Sequence, residues 1–194
     1  MNLMRIRRRI TLIALASSFV MFNLCGSAEA SDSDSVGLYF DTQGLVSEAT
    51  TTTPWETVIG YLVLKNLSAP TGLLGIAVRG RIEGATACWH SLIGSQNGTC
   101  DMTWYVGSGT PIPPQPVHTV IRVFFNVESP TVEVRFYLEP TPLYEHTVYV
   151  SPDDPTLHRL YPNSAGYSEP VAVVNRQAVA VDSASWGAVK ALYR

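Results

Sequence analysis

From Val36 onward, apolar and polar residues alternate in short runs, and no sustained helical period interrupts them. The clearest run spans 131–139. Val132, Val134, Phe136 and Leu138 share one phase, while Glu133, Arg135, Tyr137 and Glu139 share the other. Successive strand side chains point to opposite faces, so this pattern predicts a half-buried strand. Ile121, Val123, Phe125 and Val127 form a second such row. The turn residues Glu128-Ser129-Pro130-Thr131 lie between the rows and predict a hairpin. Folded there, Val127 meets Val132, Phe125 meets Val134, Val123 meets Phe136 and Ile121 meets Leu138. A slip of one residue would break every apolar pair.

Further strands are expected at 36–41, 57–64, 73–83, 86–93, 101–106, 147–150, 159–161 and 170–175. The segment around Cys88 and Cys100 reads as two strands joined through Asn97-Gly98, a strong hairpin signal. Pro111-Ile112-Pro113-Pro114-Gln115-Pro116 suits neither a helix nor a central strand and is expected as an extended surface crossover. Many short, uneven strands separated by turns predict an all-β, antiparallel two-sheet β-sandwich. Near the C-terminus, Asp182 or Ser183 can cap a short helix carrying Trp186, Val189, Leu192 and Tyr193. Gly187 works against that helix, which leaves a final edge strand as the alternative.

The first thirty residues change the picture most. Arg5, Arg7, Arg8 and Arg9 precede an apolar run from Ile10 to Leu24 and the small-residue ending Ala28-Glu29-Ala30. That order is the pattern of a secretory signal peptide. Residues 1–30 are therefore expected to be removed, 31–35 to form a Ser/Asp linker, and 36–194 to form one domain. Cleavage leaves nine basic and fifteen acidic residues, a net charge of −6. A mildly acidic chain without a Lys/Arg cluster is a poor match for nucleic acid. No later run is long enough for a membrane span in the mature chain. The expected location is secreted, periplasmic or cell-surface.

Of three cysteines, Cys25 falls in the signal, so Cys88 and Cys100 are expected to pair in an oxidising compartment. Cys88, His90 and Cys100 as metal ligands is the weaker reading, because no C-x-x-C or second histidine pair supports it. No cofactor or metal site is expected.

Catalytic patterns are weak. Ser95 sits at the wrong position for G-x-S-x-G, and His90, His118, His146 and His158 are scattered singly. Asp153-Asp154, between two prolines, reads as turn chemistry ahead of a calcium loop. Aromatic residues carry the better signal for binding. Trp89 and Trp104 are expected in the core, whereas Tyr105, Tyr137 and Tyr149 fall on the polar phase of their strands and are the ligand-face candidates.

Val36-Gly37-Leu38-Tyr39-Phe40-Asp41 at the start, Gly60-Tyr61-Leu62-Val63-Leu64-Lys65-Asn66 within, and Ser185-Trp186-Gly187-Ala188-Val189-Lys190-Ala191-Leu192-Tyr193-Arg194 at the end go together. The combination resembles a family of uncharacterised exported bacterial proteins. The resemblance implies an immunoglobulin- or cohesin-like β-sandwich and carries no catalytic residue across. The expected function is an exported, non-enzymatic structural or protein-binding module of the cell envelope or extracellular space. A carbohydrate-binding module using exposed tyrosines is the first alternative, and a hydrolase is the second.

Overall fold

The computed structural model describes residues 34–94 and 100–177. The expected signal peptide, the C-terminal helix and the Asn97-Gly98 turn lie outside the described residues. The described chain is all β, and its twelve strands form two sheets packed face to face as a β-sandwich. Among the described residues, no helix is long and apolar enough to cross a membrane.

The first sheet contains β1 (Ser35–Tyr39), β3 (Glu56–Lys65), β5 (Thr86–Ser91), β7 (Val117–Val127) and β11 (Tyr161–Pro162), in the order β11-β1-β3-β7-β5. The second contains β2 (Glu48–Ala49), β4 (Leu73–Glu83), β6 (Thr103–Ile112), β8 (Val134–Glu139), β9 (Val148–Val150), β10 (Leu157–Arg159) and β12 (Ala172–Val174). Pairing is antiparallel except for β1 with β11 and β2 with β12, so both sheets are mixed. Ser35, grouped with the linker by its composition, already pairs with Lys65 as the first residue of β1. The expected strand at 159–161 divides instead. β10 pairs with β9, the buried Leu160 turns the chain inward, and β11 pairs with β1 in the other sheet.

The 121–139 hairpin does not form. β7 is paired with β3 on one edge and β5 on the other, while β8 lies between β4 and β12 in the opposite sheet. The alternating apolar rows are correct, but they meet across the sandwich instead of within one sheet. Phe125 and Phe136 make a T-shaped contact with ring centroids 5.8 Å apart. Periodicity reports which face is buried and not which strand is the neighbour, so both arrangements satisfy the same pattern. Each strand instead pairs along both of its edges, β7 with β3 and β5 and β8 with β4 and β12.

The Cys88–Cys100 excursion is corrected in the same way. β5 pairs with β7 and β6 pairs with β4, so the two are not partners. The disulfide itself is present, with Cα atoms 4.3 Å apart, and it ties the edge strand of one sheet to the chain entering the other. Closing a loop of this length is worth about 3 kcal/mol in the chain-entropy model.

An aromatic chain fills the interior. Phe40 contacts Phe125, Phe125 contacts Phe136, Phe136 stacks on Trp104, and Trp104 meets Trp89 edge-on. Each such pair adds about 0.5–1.5 kcal/mol beyond area burial. Trp89 and Trp104 are core residues, and Trp89 Nε1 donates to the Asp101 carbonyl at 2.6 Å.

Candidate functional site

The outer face of the second sheet holds both open depressions that involve the expected ligand-face residues. Its geometry follows from register. β4 pairs with β6 along one edge and with β8 and β9 along the other, since Arg79 opposes both Thr103 and Glu139 and Ala77 opposes both Tyr105 and Val148. β8 and β9 therefore lie end to end, with residues 140–147 looping out between them.

At the β9 end, two outward rows cross the sheet. One is Tyr105–Ala77–Val148–Arg159, whose guanidinium lies 4.7 Å from the centroid of the Tyr161 ring, and the other is Gly107–Gly75–Val150–Leu157. Ala77, Gly75 and Gly107 have little or no side chain, so a trough remains between Tyr105 on β6 and the β9–β10 pair. Tyr144, from the 140–147 loop, joins its lining. The resulting cleft has a volume of about 270 Å³ and no charged lining residue. Tyr105 is 38% exposed and Leu157 48%. Exposed apolar side chains gathered at a cleft mark an interaction surface more than scattered ones do.

At the β12 end, the row is Glu83–Arg135–Val173–Glu48. A larger groove of about 930 Å³ opens there, lined among others by Glu133, Arg135, Tyr137 and Arg176. Four of its five charged lining residues pair with one another, and Glu169 is the fifth. Arg135 Nε donates to Glu133 Oε1 at 2.5 Å, and Arg176 pairs with Glu48 at 2.9 Å. Glu133 Oε2 accepts the Gln177 backbone N–H at 2.7 Å. That N–H and the Arg135 guanidinium hold the Glu133 carboxyl below its usual range.

The three sequence-predicted tyrosines do not form one face. Tyr105 is outward and open, as expected. Tyr137 is outward but only 5% exposed, because the Arg81 guanidinium lies 3.8 Å above its ring and its hydroxyl donates to Glu83. Arg81 is held by Glu139 at 2.6 Å and also contacts Glu83. Tyr149 faces the core and is 0% exposed, which removes it as a ligand residue. It sits beside Ile76 and stacks on His158, with centroids 4.8 Å apart. Its hydroxyl donates to Asp34 Oδ1 at 2.7 Å and accepts the Ala69 N–H, and burial pushes its pKa up. Asp34 Oδ1 also accepts the Ser68 N–H, so this cluster clasps the start of β1 to the β3–β4 turn. A three-residue strand such as β9 offers too little alternation to read its phase.

The acid–base candidates are dispersed. None of the two depressions above, nor a third at Thr42, Gln43 and Gln115, is lined by a histidine. His158 Nε2 comes within 3.3 Å of Asp154 without hydrogen-bond geometry. Asp154 Oδ1 accepts the Thr156 N–H at 2.9 Å, which is turn chemistry, and this bond keeps its pKa low. His118 is buried at 2% exposure, with Nδ1 3.2 Å from Gln115 Nε2, and burial lowers its pKa. Cys88 and Cys100 are bonded to each other and so supply no thiolate ligand with His90. Among the described residues, no group of three or more His, Cys, Asp or Glu side chains is placed to hold a metal ion.

Sequence reasoning missed Gly75, Ala77, Gly107 and Leu157 as makers of the cleft. Small residues emit no chemical signal, and only register aligns them. No protein-family model matches the chain, and no curated protein matches it in sequence.

Proposed function

We propose that this chain is an exported, non-catalytic β-sandwich module of the cell envelope or extracellular space, of the immunoglobulin- or cohesin-like kind its ends resemble. It binds a protein partner at the Tyr105–Tyr144 cleft. The observation that carries this reading is the uncharged cleft lining itself, with Tyr105 and Leu157 exposed in it. The charged signal-like start and the Cys88–Cys100 bridge support an oxidising destination. Dispersed histidines and self-paired carboxylates support a non-catalytic role.

The carbohydrate reading keeps Tyr105 and loses Tyr137 and Tyr149 to burial. Fractionation of cells expressing the full chain tests export. The expected result is a disulfide-bonded, shortened protein outside the cytoplasm, and a full-length reduced protein in the cytoplasm would refute it. Hydrolysis of glycan or peptide panels, abolished by His158→Ala, would overturn the non-catalytic assignment. In-cell crosslinking should yield a protein adduct that Tyr105→Ala removes.

A further inference from the structure

We infer that the Tyr105–Tyr144 cleft receives a proline-rich extended segment, namely residues 111–116 of a second copy of this chain. The inference rests on reading that cleft as the binding surface, and it names the occupant.

The lining decides between two ligands that both present ring faces to tyrosine. A saccharide brings many hydroxyls, and each one desolvated without a partner costs affinity. The cleft lining contains no carboxylate, amide or basic side chain, and its polar side-chain groups are the hydroxyls of Tyr105 and Tyr144. A proline-rich segment makes a smaller demand. Proline has no N–H to satisfy, its ring packs on aromatic walls, and the extended conformation is ordered before binding.

Such a segment is present on the same molecule. Pro111 and Ile112 end β6, so the expected crossover shortens to Pro113-Pro114-Gln115-Pro116, which carries the chain to β7 with Pro113, Pro114 and Pro116 exposed. Its other side is pinned. Gly72, at φ +94°, lies so close that a Cβ there would be 2.0 Å from the Ile112 carbonyl oxygen. Gln115 contacts the buried His118 at 3.2 Å. The segment is therefore pre-set, and docking it loses little conformational entropy.

Charge matches as well. No Asp, Glu, Lys or Arg lies between Asp101 and Arg122, so the segment enters an uncharged cleft without desolvating a charge of its own. Self-docking within one molecule is blocked. β4 holds Tyr105 opposite Ala77 and Ile112 opposite Leu73, positions about 13 Å apart along the strand, and the Gly72 clamp prevents folding back. Because cleft and segment both extend from β6, a two-fold-related pair can exchange them, which closes the assembly as a dimer instead of a chain.

Sedimentation velocity of the exported, disulfide-bonded protein tests this over about 1 μM to about 1 mM. The wild type should dimerise, and Tyr105→Ala should weaken dimerisation at least about tenfold. The double variant Pro113→Ser, Pro114→Ser should do the same. Mixing the two variants restores one of two contacts and should give more heterodimer than either homodimer. A synthetic peptide of residues 109–117 should convert wild-type dimer to monomer, with unchanged circular dichroism confirming that both variants fold. A wild type that stays monomeric at about 1 mM, variants that dimerise like the wild type, or a peptide that fails to compete would each overturn the inference. A monomer that still shows a Tyr105-dependent adduct to a different protein would overturn the second copy as occupant and leave the binding module standing. Protection of Tyr105 by a neutral oligosaccharide, and not by the peptide, would overturn the proline-rich occupant.

Discussion

The two ends of one sheet face solve the same problem differently. Around β8 and β12, outward side chains are long and charged, and they close on one another. Arg81 caps Tyr137, Arg135 holds Glu133, and Arg176 reaches Glu48. Around β6, β4 and β9, outward positions are small or apolar, and Tyr105 stands open beside Ala77 and Gly75. The larger depression is thus the one in which most charged groups are already paired, and the smaller one keeps an open aromatic ring.

The sharpest way to break this comparison is at Asn175. At φ 54° it ends β12, and its side chain accepts the Thr51 N–H at 2.7 Å and donates to the Val132 carbonyl at 3.2 Å. It ties β12 to the chain entering β3 and to the β7–β8 arch, next to Arg176. Asn175→Ala should cost about 3 kcal/mol in urea unfolding, since it leaves several buried groups without partners. It should also loosen the charged groove before the cleft in hydrogen exchange. A cost below about 1 kcal/mol would mean that the arch is held by other groups.

The tyrosines test the comparison directly. Tyr137→Ala removes a buried ring and its bond to Glu83 and should cost about 2 kcal/mol of stability. Tyr105→Ala removes an exposed ring and should cost less than about 0.5 kcal/mol while abolishing binding at the cleft. Equal stability losses in thermal unfolding would erase the distinction between capped and open tyrosine.

Acid should act on the core and on the charged groove and spare the cleft. His118 is neutral in the core, and its pKa is lower folded than unfolded, so the unfolded chain takes up the extra proton as pH falls. Stability should be flat above about pH 6.5 and then decline by at most about 1.4 kcal/mol per pH unit until the folded-state pKa is reached. His118→Gln should flatten that decline. Glu133 acts in the same direction at lower pH: its depressed pKa gives stability present above the unfolded carboxylate pKa and lost as pH falls through the folded one. The cleft lining has no carboxylate or histidine, so its binding should not change between about pH 5 and 8. A titration of binding in that range would place an ionisable group there after all.

The smallest effect is expected from Arg135→Gln. The pair with Glu133 is exposed on the Arg135 side, so the change in stability should stay within about 0.5 kcal/mol and shrink with added salt. A loss several times larger would show that the charged groove is a cooperative network.

Alternation between 121 and 139 was enough to place Val123, Phe125, Phe136 and Leu138 in the core, because burial of one strand face follows from a period of two. The cysteine pair was equally legible, since two cysteines lie beyond the signal-like first thirty residues and one bridge uses both. The expected bounds 73–83 match β4 for the same reason, with Glu83 and Gly84 ending the run. Neighbour choice was not legible. β7 and β8 look like hairpin partners in one dimension and face each other across the sandwich in three, because edges are allotted by competition among all strands. Tyr149 was lost inward for a related reason: in β9 its phase is set by the strand beside it. The cleft followed from the same allotment. Gly75, Ala77, Gly107 and Tyr105 are ordinary residues along the chain, and they become the walls of a cleft when three strands bring them into register.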